Sequence, residues 1–407
     1  MVQENNMIVG LDIGTSKIAC IVAEHNTDGE LAIIGLGTHP SIGLKKGVVI
    51  DVHHTIDAIR MAVEEAELMT GVAIKCVNVG ISGSHIWSSN NQGVVAIEGE
   101  QVTDDDVSRV INAARAWLMP ENKKILHVIP QQYTLDALTG VRNPLGMCGA
   151  RLEAQVHMVT GDAFAIQNIM NCCERCNLDV SHLVLEQIAS GEGVLASDEK
   201  EIGVLMVDIG GGTTDLAIFK HGYICHTTVI PIGGDHMTND LAMGLRISTK
   251  EATHLKIKYG NCMMSLVSRE ETVQVNYVGD REPEMIPRQR LVQFLEPRLQ
   301  ELFQLIREDL MSTRYTESLA AGIVLTGGSS LLNGIQTLAE EVFEMPVRIG
   351  RPQDMAGLLD VVSSPIYATG VGLVKYAHSY REPTPQHQNE KQKWYEIGSR
   401  FMRWIGR

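Results

Sequence analysis

Two glycine-rich turns, Asp12-Ile13-Gly14-Thr15-Ser16-Lys17 and Asp208-Ile209-Gly210-Gly211-Gly212-Thr213-Thr214-Asp215, begin 196 residues apart and share one design. An apolar run, Met7-Ile8-Val9-Gly10-Leu11 or Val204-Leu205-Met206-Val207, delivers an Asp into each turn. A second apolar run, Ile18-Ala19-Cys20-Ile21-Val22 or Leu216-Ala217-Ile218-Phe219, leaves it. One such turn also suits an ordinary β-hairpin; two copies in one chain predict a duplicated lobe built on a hairpin that grips phosphate. A polyphosphate needs backbone N–H groups and hydroxyls close to its oxygens, and a Cβ at Gly14, Gly210, Gly211 or Gly212 would hold it away. Thr15, Ser16, Thr213 and Thr214 offer hydroxyl donors and Lys17 a positive charge. Asp12 and Asp208 offer carboxylates suited to a hydrated Mg²⁺ placed between the hairpins.

The length fits two lobes, since 407 residues exceed the roughly 250 to 300 at which a single core stops growing. Apolar residues make up 44% of the chain, enough for packed cores, and a formal net charge of −15 argues against a nucleic-acid surface. The opening Met1-Val2-Gln3-Glu4-Asn5-Asn6 has no basic, then apolar, signal segment, and no run of ~20 apolar residues spans a bilayer, so a cytoplasmic protein is expected. Eight scattered cysteines read as packing thiols. Cys172-Cys173-Glu174-Arg175-Cys176 contains a C-x-x-C without a second pair and falls in a helical pattern, which argues against zinc.

Along the chain, Val52 to Thr70 repeats apolar residues at helical spacing, and Cys76 to Ile81 reads as a strand. From Ser84 to about Thr160, strand-like runs (Gly93 to Ile97, Lys124 to Ile129, Glu153 to Val159) surround one helix, as in an inserted α+β module. That helix starts at Thr103-Asp104-Asp105-Asp106, where an N-cap with first-turn carboxylates accounts for the acidic run without a metal. Helices through Leu241 and Lys250 to Lys258, a strand-rich stretch to about Val278 and a long amphipathic helix from Arg290 to Met311 suggest a second inserted unit. Ile323-Val324-Leu325-Thr326-Gly327-Gly328-Ser329 then reads as a buried strand whose Gly-Gly turn opens a helix.

These residues resemble the actin/Hsp70/sugar-kinase ATPase superfamily, in which two phosphate motifs and an adenosine motif close over a nucleotide between two lobes. Within it, the chain is similar to the FtsA family of bacterial cell-division proteins. The matches outside the shared motifs are Gly43 to Asp51 (GLKKGVVID), Val79 to Gly83 (VGISG), Asn143 to Glu153 (NPLGMCGARLE) and Ile232 to Asp235 (IGGD). MreB-type relatives lack this pattern. The resemblance implies ATP and Mg²⁺ as ligands. Asp12, Gly14, Thr15, Ser16 and Lys17 would meet the phosphates from the first lobe, and Asp208, Gly210, Gly211, Gly212 and Thr213 from the second. Gly327, Gly328 and Ser329 would cradle the adenosine. Glu186 would orient water near the γ-phosphate, and Ala368-Thr369-Gly370 would form the second hinge segment. Lys256 would flank the ribose or adenine, with Thr253 where the family commonly has Glu.

The resemblance also implies an α/β, actin-like two-lobed fold, with subdomain 1A at 1–83, 161–202 and 360–378 and subdomain 1C at 84–160. Subdomain 2A would take 203–235 and 312–359, and subdomain 2B 236–311. By the same resemblance, subdomain 2B would receive the C-terminal tail of FtsZ, the tubulin-like division protein, at Arg298 and Glu301, whose charges also suit the solvated face of a helix. Subdomain 1C would contact later division proteins.

The C-terminus reads as membrane-seeking on its own composition. Residues 379–393 are polar and Pro/Gln-rich, as in a flexible linker. In 394–407, Trp394, Ile397, Phe401, Trp404 and Ile405 share one helical face, and Arg400, Arg403 and Arg407 lie on the other with Glu396. From Lys391 onward five cations face one acid, a basic end on an acidic chain, as suits anionic lipid. A helix about 20 Å long lies in the interface without crossing it. One such helix binds weakly, so stable attachment calls for many copies, as a filament of this chain would supply. A sugar or acetate kinase, an Hsp70-like chaperone and a PilM-like pilus ATPase share the ATP motifs; this tail sets the chain apart from all three.

Overall fold

The two hairpins close identically. Gly14 N–H donates to Lys17 O at 3.0 Å, and Gly210 N–H donates to Thr213 O at 3.0 Å. Their registers also match, with Asp12 opposite Ala19 and Asp208 opposite Asp215. The computed structural model describes residues 7–25, 30–116, 122–279 and 281–379. The linker and helix expected beyond Ser379 lie outside the described residues.

The duplication extends to whole sheets. In the first, Met7–Ile13 pairs antiparallel with Lys17–His25, which pairs antiparallel with Leu31–Pro40. On its other side Met7–Ile13 pairs parallel with Cys76–Ile81, followed in parallel by Asp179–Leu185. The second sheet repeats this order with Val204–Ile209 at its centre: Thr214–Lys220 and Tyr223–Ile230 on the antiparallel side, Ile323–Thr326 and Val347–Ile349 on the parallel side. The central strands are apolar and covered on both faces, which is why they read as continuous apolar runs rather than alternating ones.

The core of the first lobe runs on into the second sheet through Met206, Ala217 and Phe219, and the other face of that sheet has a core of its own. In the first, Ile56, Ile59 and Val63 of the helix Val52–Thr70 pack on Leu11, Ile13 and Ile18, while Val371 and Val374 of Ala368–Ser379 pack on Ile8 and Ile21 of the opposite face. In the second, Leu299, Phe303 and Ile306 of the helix Gln289–Ser312 join Leu205, Val207 and Leu325. The helices Glu186–Val194 and Ala368–Ser379 meet backbone to backbone, for a Cβ on Gly372 would fall 1.7 Å from Ala189 O.

Between Cys76–Ile81 and Asp179–Leu185 the chain forms a four-stranded antiparallel sheet, ordered Ile86–Ala96, Arg151–Asp162, Lys123–Leu135, Leu138–Val141, with the helix Asp104–Arg115 across it. Val107, Val110, Tyr133, Leu152 and Ala154 fill that module's core. The expected runs are the ends or middles of longer strands. Gly93 to Ile97 covers only the close of an eleven-residue strand.

Candidate functional site

The sheets bring the two hairpins into contact. A Cβ on Gly211 would fall 1.7 Å from Ser16 Oγ, and one on Gly212 would fall 2.6 Å from Thr15 Oγ1. Ser16 Oγ also lies 3.4 Å from Asp235 Oδ1, across the cleft. The Ile232 to Asp235 motif backs the second hairpin, with Gly234 N–H donating to Gly210 O at 2.9 Å and Asp235 N–H to Gly211 O at 2.8 Å.

The remaining nucleotide candidates gather round this same turn. Lys256 Nζ donates to Gly234 O at 2.7 Å, and burial lowers its pKa. Ser329 Oγ donates to Gly210 O at 3.2 Å. Gly327 takes φ +82°, and a Cβ there would fall 2.2 Å from Asp208 Oδ1, so only glycine fits. Beside it, a Cβ on Gly328 would only touch Ile366 Cγ1, at 3.8 Å. Thr253 turns its hydroxyl back to Thr249 O at 2.8 Å on its own helix. One expectation changes. The Gly-Gly turn opens a single 3-10 turn, Gly328–Leu331, and the α-helix begins only at Ile335. Ser330 Oγ donates back to Gly327 O at 2.7 Å, and Gly334, at φ +82°, breaks the chain before the helix starts.

Beneath the turns lie four carboxyl groups. Asp12 Oδ2 pairs with Lys17 Nζ at 2.7 Å. Asp208 Oδ2 accepts from Ser190 Oγ at 2.6 Å and Thr369 Oγ1 at 3.3 Å; burial, with Asp12 adding, raises its pKa against those bonds. Glu186 starts the helix Glu186–Val194, and the missing Cβ of Gly80 makes room for it, 3.2 Å from Glu186 Cγ. Burial and then Asp12, Asp215 and Asp208 push the Glu186 carboxyl well above its ordinary range.

The fourth carboxyl, Asp215, was not singled out from the sequence. It accepts from Ser82 Oγ, from Gln187 Nε2 at 2.9 Å and from Thr213 Oγ1 at 3.1 Å. Burial, opposed by the Ser82 bond and helped by Asp208, brings its pKa to about 7. A signal was available. Superposing the two hairpins by register sets Asp215 against Ala19, an acid within an otherwise apolar buried strand.

Thus Asp12, Gly14, Thr15, Ser16, Lys17, Asp208, Gly210, Gly211, Gly212, Thr213, Lys256, Gly327 and Ser329 converge on one cleft, whose glycine cradle and hydroxyls fit a polyphosphate. Among the described residues no three His, Cys, Asp or Glu side chains are grouped to hold a metal by themselves. Cys172 and Cys173 are buried thiols with pKa values pushed up by burial to about 11 and about 12.

Arg298 and Glu301 stand apart, at a groove of about 350 Å³ lined also by Met243, Phe294 and Pro297. The Arg298 guanidinium is bidentate to Asp240, at 2.6 and 3.1 Å, and also bonds Glu301. Trp394, Ile397, Arg400, Phe401, Arg403, Trp404 and Ile405 lie outside the described residues. Among those described, no helix is long and apolar enough to cross a membrane.

Comparison with solved structures defines the class. The chain aligns with the PilM-PilN type IV pilus biogenesis complex at TM-score 0.67 and 18% identity, over 92% of this chain and 99% of that one. It aligns with MreB5 of Spiroplasma citri bound to ADP at TM-score 0.57 and 16% identity, over 97% and 99%. The protein therefore has an actin-like two-lobed α/β fold with an inserted module. Family models specify it further: one described as cell division protein FtsA matches residues 205–372, and one described as an SHS2 domain inserted in FtsA matches 83–160. The cell division protein FtsA of Pseudomonas aeruginosa is 51% identical over 92% of this chain and 90% of its own length, and that of Neisseria meningitidis serogroup B 42% identical over 100% and 99%. The chain belongs to the FtsA family of cell division proteins.

Proposed function

We propose that this chain binds ATP between its lobes, assembles into filaments on the inner face of the cytoplasmic membrane, tethers FtsZ there at the division septum, and recruits later division proteins through the inserted module. The observation that carries the nucleotide reading is the contact of two phosphate-type hairpins from distant parts of the chain, with Ser16 of one against Gly211 of the other. Backbone N–H groups and hydroxyls of both turns hold the phosphates, Gly327, Gly328, Ser329 and Lys256 the adenosine, and Asp12 and Asp208 a Mg²⁺ through water. Burial and then Asp12, Asp215 and Asp208 raise the Glu186 pKa, which weakens it as a proton acceptor, and this supports reading ATP chiefly as a structural and regulatory ligand with at most weak hydrolysis. The groove at Arg298 and Glu301, with Met243 80% exposed beside it, supports a site for the FtsZ tail. The boundaries given above for subdomains 1A, 1C, 2A and 2B are part of this reading, as is the basic aromatic helix at 394–407.

Co-sedimentation with anionic liposomes in the presence of ATP tests the tether. The full chain is expected to pellet with lipid, and a chain ending at Ser379 and a Trp404→Glu variant to remain in the supernatant. Equal behaviour of all three would remove the membrane reading.

A further inference from the structure

Three lysines stand where the hairpins meet, and two are already engaged. Lys17 is paired with Asp12, and Lys256 donates to Gly234 O. Lys46 is half-buried, and no carboxylate lies within ion-pair distance of it among the described residues. It belongs to the motif Gly43 to Asp51, which the reading above leaves without a role.

That loop is pinned. Ile50 and Asp51 N–H groups donate to Gly43 O at 2.9 and 3.1 Å, and Gly47 N–H donates to Thr15 Oγ1 of the first hairpin at 3.1 Å. Gly47, at φ +75°, lies so close to the end of the strand Cys76–Ile81 that a Cβ would fall 2.4 Å from Ser82 O. Lys46 itself is held at φ +52°, a conformation uncommon for a side chain of its size. The loop also reaches the second lobe, since a Cβ on Gly212 would stand 3.0 Å from Lys46 N. Burial and then the Lys46 charge hold the His236 imidazole below its ordinary range, so the Lys46 charge is felt at the first turn of the helix Gly234–Leu245, which follows the second hairpin.

Charge balance supplies the reason for such a residue. The cleft floor carries Asp12, Glu186, Asp208 and Asp215, and its own lysine is committed to Asp12. A polyphosphate entering so acidic a site gains most from a cation that no protein carboxylate already neutralises. We propose that Lys46 is a further phosphate-binding residue, carried on a fixed loop of the first lobe to the polyphosphate gripped by the second hairpin. This inference rests on the nucleotide reading of the cleft.

The test is titration calorimetry of the full chain with Mg²⁺-ATP and, separately, with adenosine, at fixed salt. Lys46→Met is expected to weaken ATP binding roughly tenfold, the scale of one charge-assisted bond to phosphate, and to leave adenosine binding within twofold. Lys46→Arg recovers most of the loss, and Lys45→Met, at the exposed neighbour, binds ATP as the unaltered chain does. Melting temperatures confirm that each variant is folded. ATP affinity unchanged in Lys46→Met, or an equal loss for adenosine, would overturn the inference while leaving the nucleotide reading intact. Absence of ATP binding by the unaltered chain would overturn that reading and this inference together.

Discussion

Asp215 can hold a proton where its counterpart in the first lobe, Ala19, cannot. Its pKa of about 7 lies above the ~3.9 of an unfolded aspartate, so the folded chain binds more protons between those values. The resulting stabilisation is fully present below the unfolded value and is lost as pH rises through 7. Asp215→Asn removes this dependence. The variant's melting temperature, relative to the unaltered chain and without nucleotide, is therefore expected to climb from pH 5 to pH 8. His127 and His157, buried and depressed to about 4 and about 3, act in the opposite sense, but they do so in both proteins and cancel in the difference. A flat difference would mean that Asp215 is ionised throughout. The same residue marks a limit of sequence reading. Asp12, Asp208 and the glycines announce themselves because the turn is a contiguous pattern. Asp215 gains its meaning only from Ser82 and Gln187, which arrive from the other lobe.

Among the elements, the insert helix Asp104–Arg115 shows a local signal that survives folding intact. Asp106 N–H bonds Thr103 Oγ1 at 3.3 Å and Thr103 N–H bonds Asp106 Oδ2 at 2.9 Å, a reciprocal cap. Against its burial, bonds to the Asp106 carboxyl from the Thr103 hydroxyl (2.7 Å), Thr103 N–H, Glu98 N–H and Arg109 bring it down to about 2. Thr103→Ala is expected to destabilise the chain by about 1 kcal/mol, read as a lowered urea midpoint at unchanged slope. A loss near zero would mean that the Thr103 and Glu98 N–H groups and Arg109, which still bond Asp106, hold the turn without the Thr103 hydroxyl. Caps and helical spacing are encoded within a few residues, so Val52–Thr70 and Cys76–Ile81 were legible to the residue, and the long helix to within one position at each end. The strand Ile86–Ala96 was not. Its middle, Ser88-Ser89-Asn90-Asn91-Gln92, is polar and weak in strand propensity, and it is a strand because of what it faces. The turn at Gly327 misled for a related reason. A strand followed by Gly-Gly signals a turn, but the type of helix after it depends on Ser330 and on where Gly334 interrupts.

What Ile86–Ala96 faces is the edge strand of the other lobe, and this gives the whole molecule a strap. The inserted module grows from the first lobe, yet Ser88 Oγ donates to Thr227 O at 2.8 Å, Asn90 Nδ2 to Cys225 O at 2.9 Å and Gln131 Nε2 to Ile224 O at 2.9 Å. His157 adds a bond between Nε2 and Thr227 Oγ1 at 2.9 Å. Ser88, Asn90 and Gln131 thereby satisfy carbonyls along the outer strand Tyr223–Ile230, an edge otherwise open to pairing. Separating the lobes to release a nucleotide must break this set, along with the bonds from Ser82 and Gln187 to Asp215. Asn90 borders a cavity of about 340 Å³, lined also by Ser88, His157, Thr227 and Thr228, with room for water where its side chain is removed. Opening, not unfolding, is the event these bonds restrain. The double variant Asn90→Ala/Gln131→Ala is therefore expected to keep its melting temperature within about 2 °C while releasing a fluorescent ATP analogue roughly tenfold faster, the sum of two hydrogen bonds at about 0.5–1.5 kcal/mol each. Stopped-flow chase with unlabelled ATP measures the release, and hydrogen exchange across Tyr223–Ile230 reports the opening without any nucleotide. If both rates match the unaltered chain, the strap does not restrain the lobes, and the Ser82 and Gln187 bonds to Asp215 become the next contacts to remove.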